Sequence, residues 1–454
     1  MRACLRVLVR FGIELGVVLA LFSRVASGDT IVVTPSDSYD KIESAKAGDE
    51  VVIAPGIYRF RVSLTQWAPP SNPIVIRAQD PKNPPVWDLE GLWVEDAPGS
   101  LTGDDRGRGC WQIRGATNIH ISGLVFRNCR SQPDPPFLQN SSGLRYFGSA
   151  GITLKDVVFL DNDNGLVGGN LSTCQTCVES EITVEFCEFG FNGSGATSLT
   201  HNIYIFGGTF TLRYSYVHNA YQGQNFHIRA RQSTIEYNWF SYPKTFAGDL
   251  MGDEDCRDSG GCPQTMLLRG NLIHQDAASN PTQIVAVAED EGGPESQFRL
   301  TMIDNTIVVT YPQGYPVHLS NSGGLRMNVE MDNNLIWSVS AQQRAYVIED
   351  PAHGSVTGTN NFMPDGGDPG SLSATVFGGN PFAKPNAREF RLAPDSTAIN
   401  GASIDVNELP DKEYYYDETV TRRYRIRAAV YDIGAFESTT TGNGIGPYDP
   451  PPRR

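Results

Sequence analysis

The chain has 454 residues, of which 40% are hydrophobic and 19% charged, with a formal net charge of −15 at pH 7. An acidic balance of this size disfavours nucleic acid and anionic membrane surfaces as partners, because both repel it. It leaves room for an anionic glycan held by a local basic strip.

In chain order, the first 28 residues carry Arg2, Arg6 and Arg10, an apolar run from Leu15 to Phe22, and the small residues Val25-Ala26-Ser27. That pattern reads as a secretory signal peptide, since the run is too short to span a bilayer. No later stretch reaches the roughly 18 apolar residues of a spanning helix. A secreted protein, periplasmic or extracellular, with no membrane insertion is therefore expected. Residues 29–437 read as one domain, and a monomer is expected. The tail 438–454 is rich in Gly, Pro and Thr and is expected to be disordered.

Within 29–437 one short phrase keeps returning. Ile152-Thr153-Leu154-Lys155 is followed by Ile182-Thr183-Val184-Glu185 and Phe210-Thr211-Leu212-Arg213. Related copies run over 119–126, 234–240, 266–273, 300–307 and 328–335, spaced by roughly 23 to 34 residues. Alternation with period two puts Ile, Leu, Val, Phe and Met on one face of a strand and Lys, Glu, Arg and Thr on the other. A repeat of this length is too short for a strand plus a crossover helix in every turn. It is long enough for two or three short strands joined by bends. The fold class is therefore all-β, a parallel β-helix solenoid with capped ends, in which stacked coils bury a column that no single coil could bury. Asn238, Asn271, Asn305 and Asn333 fall at one phase of successive repeats and predict a ladder of stacked amides.

The segment from Asp29 to about Gly91 reads as the first coils with one cap. The segment Phe390 to Glu437 reads as the last coil and the other cap. In an oxidising compartment, Cys256 with Cys262 and Cys174 with Cys177 would each close a small loop by a disulfide. Cys110 and Cys129 offer a third pair. Cys187, set among apolar strand residues, is expected to be a buried thiol. No Cys/His spacing of the zinc-ligand type occurs.

Several phrases resemble a known group. Ala47-Gly48-Asp49-Glu50-Val51-Val52-Ile53-Ala54-Pro55-Gly56-Ile57-Tyr58 resembles the opening coil of secreted right-handed parallel β-helix proteins of the pectin-lyase-like kind, among them alginate-lyase-like and chondroitinase-B-like polysaccharide lyases. Asn72-Pro73-Ile74-Val75-Ile76-Arg77-Ala78 resembles their second coil. Phe390-Arg391-Leu392-Ala393-Pro394 and Asp432-Ile433-Gly434-Ala435-Phe436-Glu437 resemble their closing coil. The resemblance implies a right-handed helix and a carbohydrate-active protein acting on an anionic polysaccharide.

The unusual chemistry concentrates in His201-Asn202-Ile203-Tyr204-Ile205 and Asn225-Phe226-His227-Ile228-Arg229, about one coil apart. With Ile203, Ile205, Phe226 and Ile228 inward, the expected outward set is Asn202, Tyr204, Asn225, His227 and Arg229, with Tyr204 beside His227. Removal of a proton α to a uronate carboxylate needs a base, a cation on the carboxylate and an acid for the leaving oxygen. His227, Arg229, Tyr204 and His201 are the catalytic candidates. Asn202, Asn225, Tyr221, Gln222, Gln224 and His318 are the substrate-binding candidates. Asp249 and Asp253 could hold Ca²⁺ or orient the histidine, so the cofactor is either none or Ca²⁺. Several members of the resembled group carry Asn-x-Lys-x-Arg where this chain has Asn225-Phe226-His227-Ile228-Arg229, and Lys244 is out of phase. The lysine base of those lyases is thus unmatched. Two other readings stay open beside the lyase: a glycoside hydrolase using carboxylates from Asp249, Asp253, Glu254 and Asp255, and a non-catalytic glycan-binding protein.

Overall fold

The computed structural model describes residues 28–439 apart from 103–104, 106–107, 134–139, 172–176, 194–199, 254–262, 276–282, 289–296, 310–314, 321–325, 339–342, 386–388 and 418–421. Residues 1–27, most of the tail, Cys174, Cys256, Cys262, Glu254 and Asp255 lie outside the described residues. The described chain coils through three parallel sheets, two of twelve strands and one of ten. One coil contributes Glu181–Glu185 to the first twelve-stranded sheet, Glu188–Gly190 to the second and Ile203–Phe206 to the ten-stranded sheet. The next contributes Thr209–Arg213, Tyr216–His218 and Phe226–Arg229.

The period-two reading holds in register. Leu154, Val184, Leu212 and Ile235 are consecutive partners along the first sheet, and all four are fully buried. Phe126, Phe159 and Phe189 form a second interior column, with ring centroids 5.3 and 4.7 Å apart. Each such side chain contributes about 1.5–3 kcal/mol by leaving water, and it does so only because a neighbouring coil covers it.

The amide ladder is present, shifted by one residue at its end. The Nδ2 of Asn238 donates to Oδ1 of Asn271 (3.0 Å), Asn271 to Asn305 (3.0 Å), Asn305 to Asn334 (2.9 Å) and Asn334 to Asn361 (3.1 Å). Asn333, expected in the ladder, instead takes the left-handed position just before it, at φ 53°, as Tyr237 and Asp304 do in earlier coils. Its amide exchanges hydrogen bonds with the backbone of Ser403. Either residue of an Asn-Asn pair suits either position, because Asn tolerates left-handed backbone. Asn271→Ala removes the acceptor shared by the Asn238 backbone N–H and side-chain amide; the amide keeps Leu212 O, and the N–H is left unpaired in the interior. It should lower the unfolding free energy by about 2–4 kcal/mol in urea titration, whereas Asn333→Ala should leave the ladder intact.

Cys110 and Cys129 are joined by a disulfide, as expected. Cys187 is buried and outside any disulfide. Cys177 is disulfide-bonded.

The closing segment departs from its expected place as a last coil. Two antiparallel hairpins, Phe382–Lys384 with Glu389–Leu392 and Lys412–Asp417 with Arg422–Ile426, fold back along the outside of the second sheet. There Phe382, Phe390, Tyr414, Ile433 and Phe436 cover Tyr216, Trp239, Leu272, Leu335 and Phe362, making a second core. Beneath this flap Arg427 Nη1 lies 3.5 Å from Asp304 Oδ1, both side chains fully buried. Burial pushes the Asp304 carboxyl up to about 7, against the pull of Arg427. The folded state therefore holds a proton that the unfolded chain releases near pH 4. The resulting stabilisation is fully present below that pH and is lost as pH rises through about 7. Melting curves should show Asp304→Asn removing this part of the pH dependence between pH 4 and 7.

Candidate functional site

The core formed with the closing segment draws on the second twelve-stranded sheet and not on the ten-stranded one. Register places Arg145, Val167, Tyr204, His227 and Asp249 side by side on successive strands, in one outward row. Neighbouring strands are about 4.8 Å apart, so adjacent members of the row are within side-chain contact. The inward partners Ile203, Ile205, Phe226 and Ile228 are fully buried and fix the strands from behind.

His227 is the centre of the cluster. Its Nδ1 lies 3.4 Å from Asp249 Oδ2. Its ring stacks on His201 at 4.9 Å and meets Tyr204 edge-on, also at 4.9 Å. His201 is buried, with its own N–H donated to Asn164 Oδ1 and its Nδ1 accepting from the Gln224 N–H. Burial holds the His201 imidazole well below its ordinary range, and the neighbouring His227 adds to this. His201 thus stays neutral and packs behind His227, as a positioning residue. Asp249 is buried beside it, and its Oδ1 has no hydrogen-bond partner among the described residues.

Arg229 stands one row further along its strand, beside Phe206 of the preceding coil. Its Nε donates to Gly252 O at 3.2 Å. Phe206 and Phe147 face each other at 6.0 Å across Gly169. A Cβ on Gly169, at φ 155°, would fall 1.6 Å from the Phe206 carbonyl oxygen, so only glycine permits this floor.

Other expected residues fall elsewhere. Asn202 and Asn225 are not outward. They are fully buried at the corner before their strands, in a second amide ladder that runs Asn162, Asn192, Asn202, Asn225 with contacts of 2.8–2.9 Å. Strand parity does not extend to them because the chain turns there. Tyr221 and Gln222 are exposed on the loop leading into the Phe226–Arg229 strand, whereas Gln224 is buried. His318 shares the row, beyond Ala286, two strand spacings or about 10 Å from Asp249. It pairs with Glu349 at 3.2 Å. Lys244 is exposed and off the row. Asp253 lies 3.8 Å from Arg231 Nε. Calcium takes six to eight oxygen ligands, roughly. Among the described residues no three His, Cys, Asp or Glu side chains gather as a metal site, so Asp249 and Asp253 do not by themselves form a cage. Sequence reasoning missed Arg145, Gln112, Phe147 and Phe206 on this face. The alternation of Leu144 and Tyr146 around Arg145 is the signal that marks its strand.

No family model matches the chain, and no curated protein matches it. Solved structures do. An alginate lyase from Paenibacillus sp. strain FPU-7 aligns with 76% of this chain and 99% of its own, at 15% identity and a TM-score of 0.50. The fold is the right-handed parallel β-helix. A pectate lyase aligns with 91% of this chain and 97% of its own at 11% identity and a TM-score of 0.48. A lacto-N-biosidase from Eubacterium ramulus aligns with 78% and 68% at 11% identity and a TM-score of 0.43.

Proposed function

We propose that this protein is a secreted polysaccharide lyase that cleaves an anionic, uronate-containing glycan by β-elimination. The observation that carries the reading is His227, held between the Asp249 carboxylate and the Tyr204 ring on the outward row, with Arg229 one row away. His227 takes the proton α to the uronate carboxylate, and the Asp249 charge favours the imidazolium that results. Arg229 binds that carboxylate and stabilises the charge that builds on it. The C–O bond to the leaving sugar breaks as the new C=C bond forms, and the Tyr204 hydroxyl protonates the departing oxygen. His201 excludes water from one side of the His227 ring. This chemistry uses a histidine where the resembled lyases use a lysine. A disulfide between Cys110 and Cys129 supports secretion, and among the described residues no helix is long and apolar enough to cross a membrane.

The test is incubation with alginate, pectate and glycosaminoglycans, with and without Ca²⁺. Ultraviolet absorbance of an unsaturated uronate is expected on at least one of them. New reducing ends without that absorbance would show a glycoside hydrolase instead. Saturable binding without turnover would show a glycan-binding protein.

A further inference from the structure

Among the described residues Arg145 is a buried cation without a counter-ion. It retains 9% of its exposure. Both of its hydrogen bonds leave from Nη1, to the carbonyls of Arg108 (3.2 Å) and Asn140 (3.1 Å). Its Nε is buried and, among the described residues, donates to nothing. Among the described residues no carboxylate forms an ion pair with it, and Asp105, whose charge reaches it, is bonded to Arg114 at 2.8 Å. Burial lowers the Arg145 pKa, and the neighbouring Arg108 lowers it further. Beside it in register stands Gln112, also buried, whose side-chain oxygen has no partner among the described residues. The guanidinium lies 5.1 Å over the Phe147 ring, at one end of the Phe147–Phe206 floor that finishes at Arg229.

An unpaired buried charge is costly, and a single partner of opposite sign recovers much of that cost. The edge of the guanidinium left over by Nη1 is the Nε–Nη2 side, a fork of the shape that fits a carboxylate. The neighbouring amide oxygen accepts from a hydroxyl. A carboxylate and a hydroxyl on one rigid unit describe a uronic acid residue. We propose that Arg145 and Gln112 form a second carboxylate-binding subsite, which holds a uronate unit of the same glycan chain remote from the bond being cut. Arg145 lies two strands from Tyr204 and three from His227, so about 10 and 14 Å away along the sheet. Only a chain of several sugars spans that distance. This proposal rests on the reading of the outward face as a uronate groove.

The experiment compares wild type, Arg145→Met, Arg145→Lys and His227→Ala on uronate oligomers from alginate and polygalacturonate, from dimers to octamers. Arg145→Met should raise KM about tenfold or more for the longer oligomers. It should leave kcat and the shortest cleaved oligomer unchanged. Calorimetry of octamer binding to His227→Ala, with and without the Arg145 change, reads the same subsite without turnover. Without sugar, Arg145→Met should melt at or above the wild-type temperature, because it removes an uncompensated charge. Equal KM at every length, with turnover intact, overturns the subsite and leaves the lyase reading standing. If wild type cleaves none of the oligomers, the lyase reading fails. Octamer binding that Arg145→Met then weakens supports the subsite on its own, and equal or absent binding in both proteins overturns it. A lower melting temperature in Arg145→Met, restored by Arg145→Lys with no change in KM, marks a structural arginine and also overturns it.

Discussion

His227→Ala should abolish uronate elimination while leaving the fold in place. Removing a positioned general base costs about 10²–10⁴ in rate, and here it removes a group that touches Asp249, Tyr204 and His201 together. The same change should cost little stability, about 1 kcal/mol or less, because the ring lies outside the apolar column that holds the coils together. The checks are a rate from the unsaturated-uronate absorbance and a thermal melt of both proteins. Retained turnover would remove His227 from the mechanism. A collapsed melt would mean that the ring stacked on His201 is a structural element instead.

Arg229→Ala should raise KM and lower kcat together. A carboxylate that loses a charge-assisted hydrogen bond at the reacting centre loses about 1.5–3 kcal/mol, a factor of roughly 10 to 150 in kcat/KM. Arg229→Lys should recover only part of this, since an ammonium keeps the charge and loses the planar fork. A change confined to KM would place Arg229 in ground-state binding alone. The contrast with Arg145→Met, which should act through chain length and leave kcat alone, separates the two arginines of the face.

The strands were legible because their information is local. Ile152-Thr153-Leu154-Lys155 states its inward and outward faces without reference to any other coil, and Leu154 accordingly stacks on Val184 and Ile121. The juxtaposition of Tyr204 with His227 follows from the same parity, once equivalent strands are aligned. Parity ends where the strand ends. Asn202 and Asn225 stand one residue before their strands, and the corner turns them into an internal ladder. The Asn333-Asn334 pair shows the same limit on a smaller scale: composition allows either residue in the ladder, and the left-handed φ of Asn333 selects Asn334.

By itself the sequence determined the coil: its period, its buried faces and its amide ladder are properties of short segments that repeat. The tertiary structure decided what long-range packing alone can decide. It laid the closing segment along the side of the second sheet, because Tyr216, Trp239 and Leu272 present an apolar outer face there that distant aromatics can cover. It buried Asp304 against Arg427 under that segment, although 123 positions separate them in the sequence and no local pattern joins them. It also left Arg145 with no carboxylate among its described neighbours, a condition no single strand can state, because the absence of a partner belongs to all the coils around it.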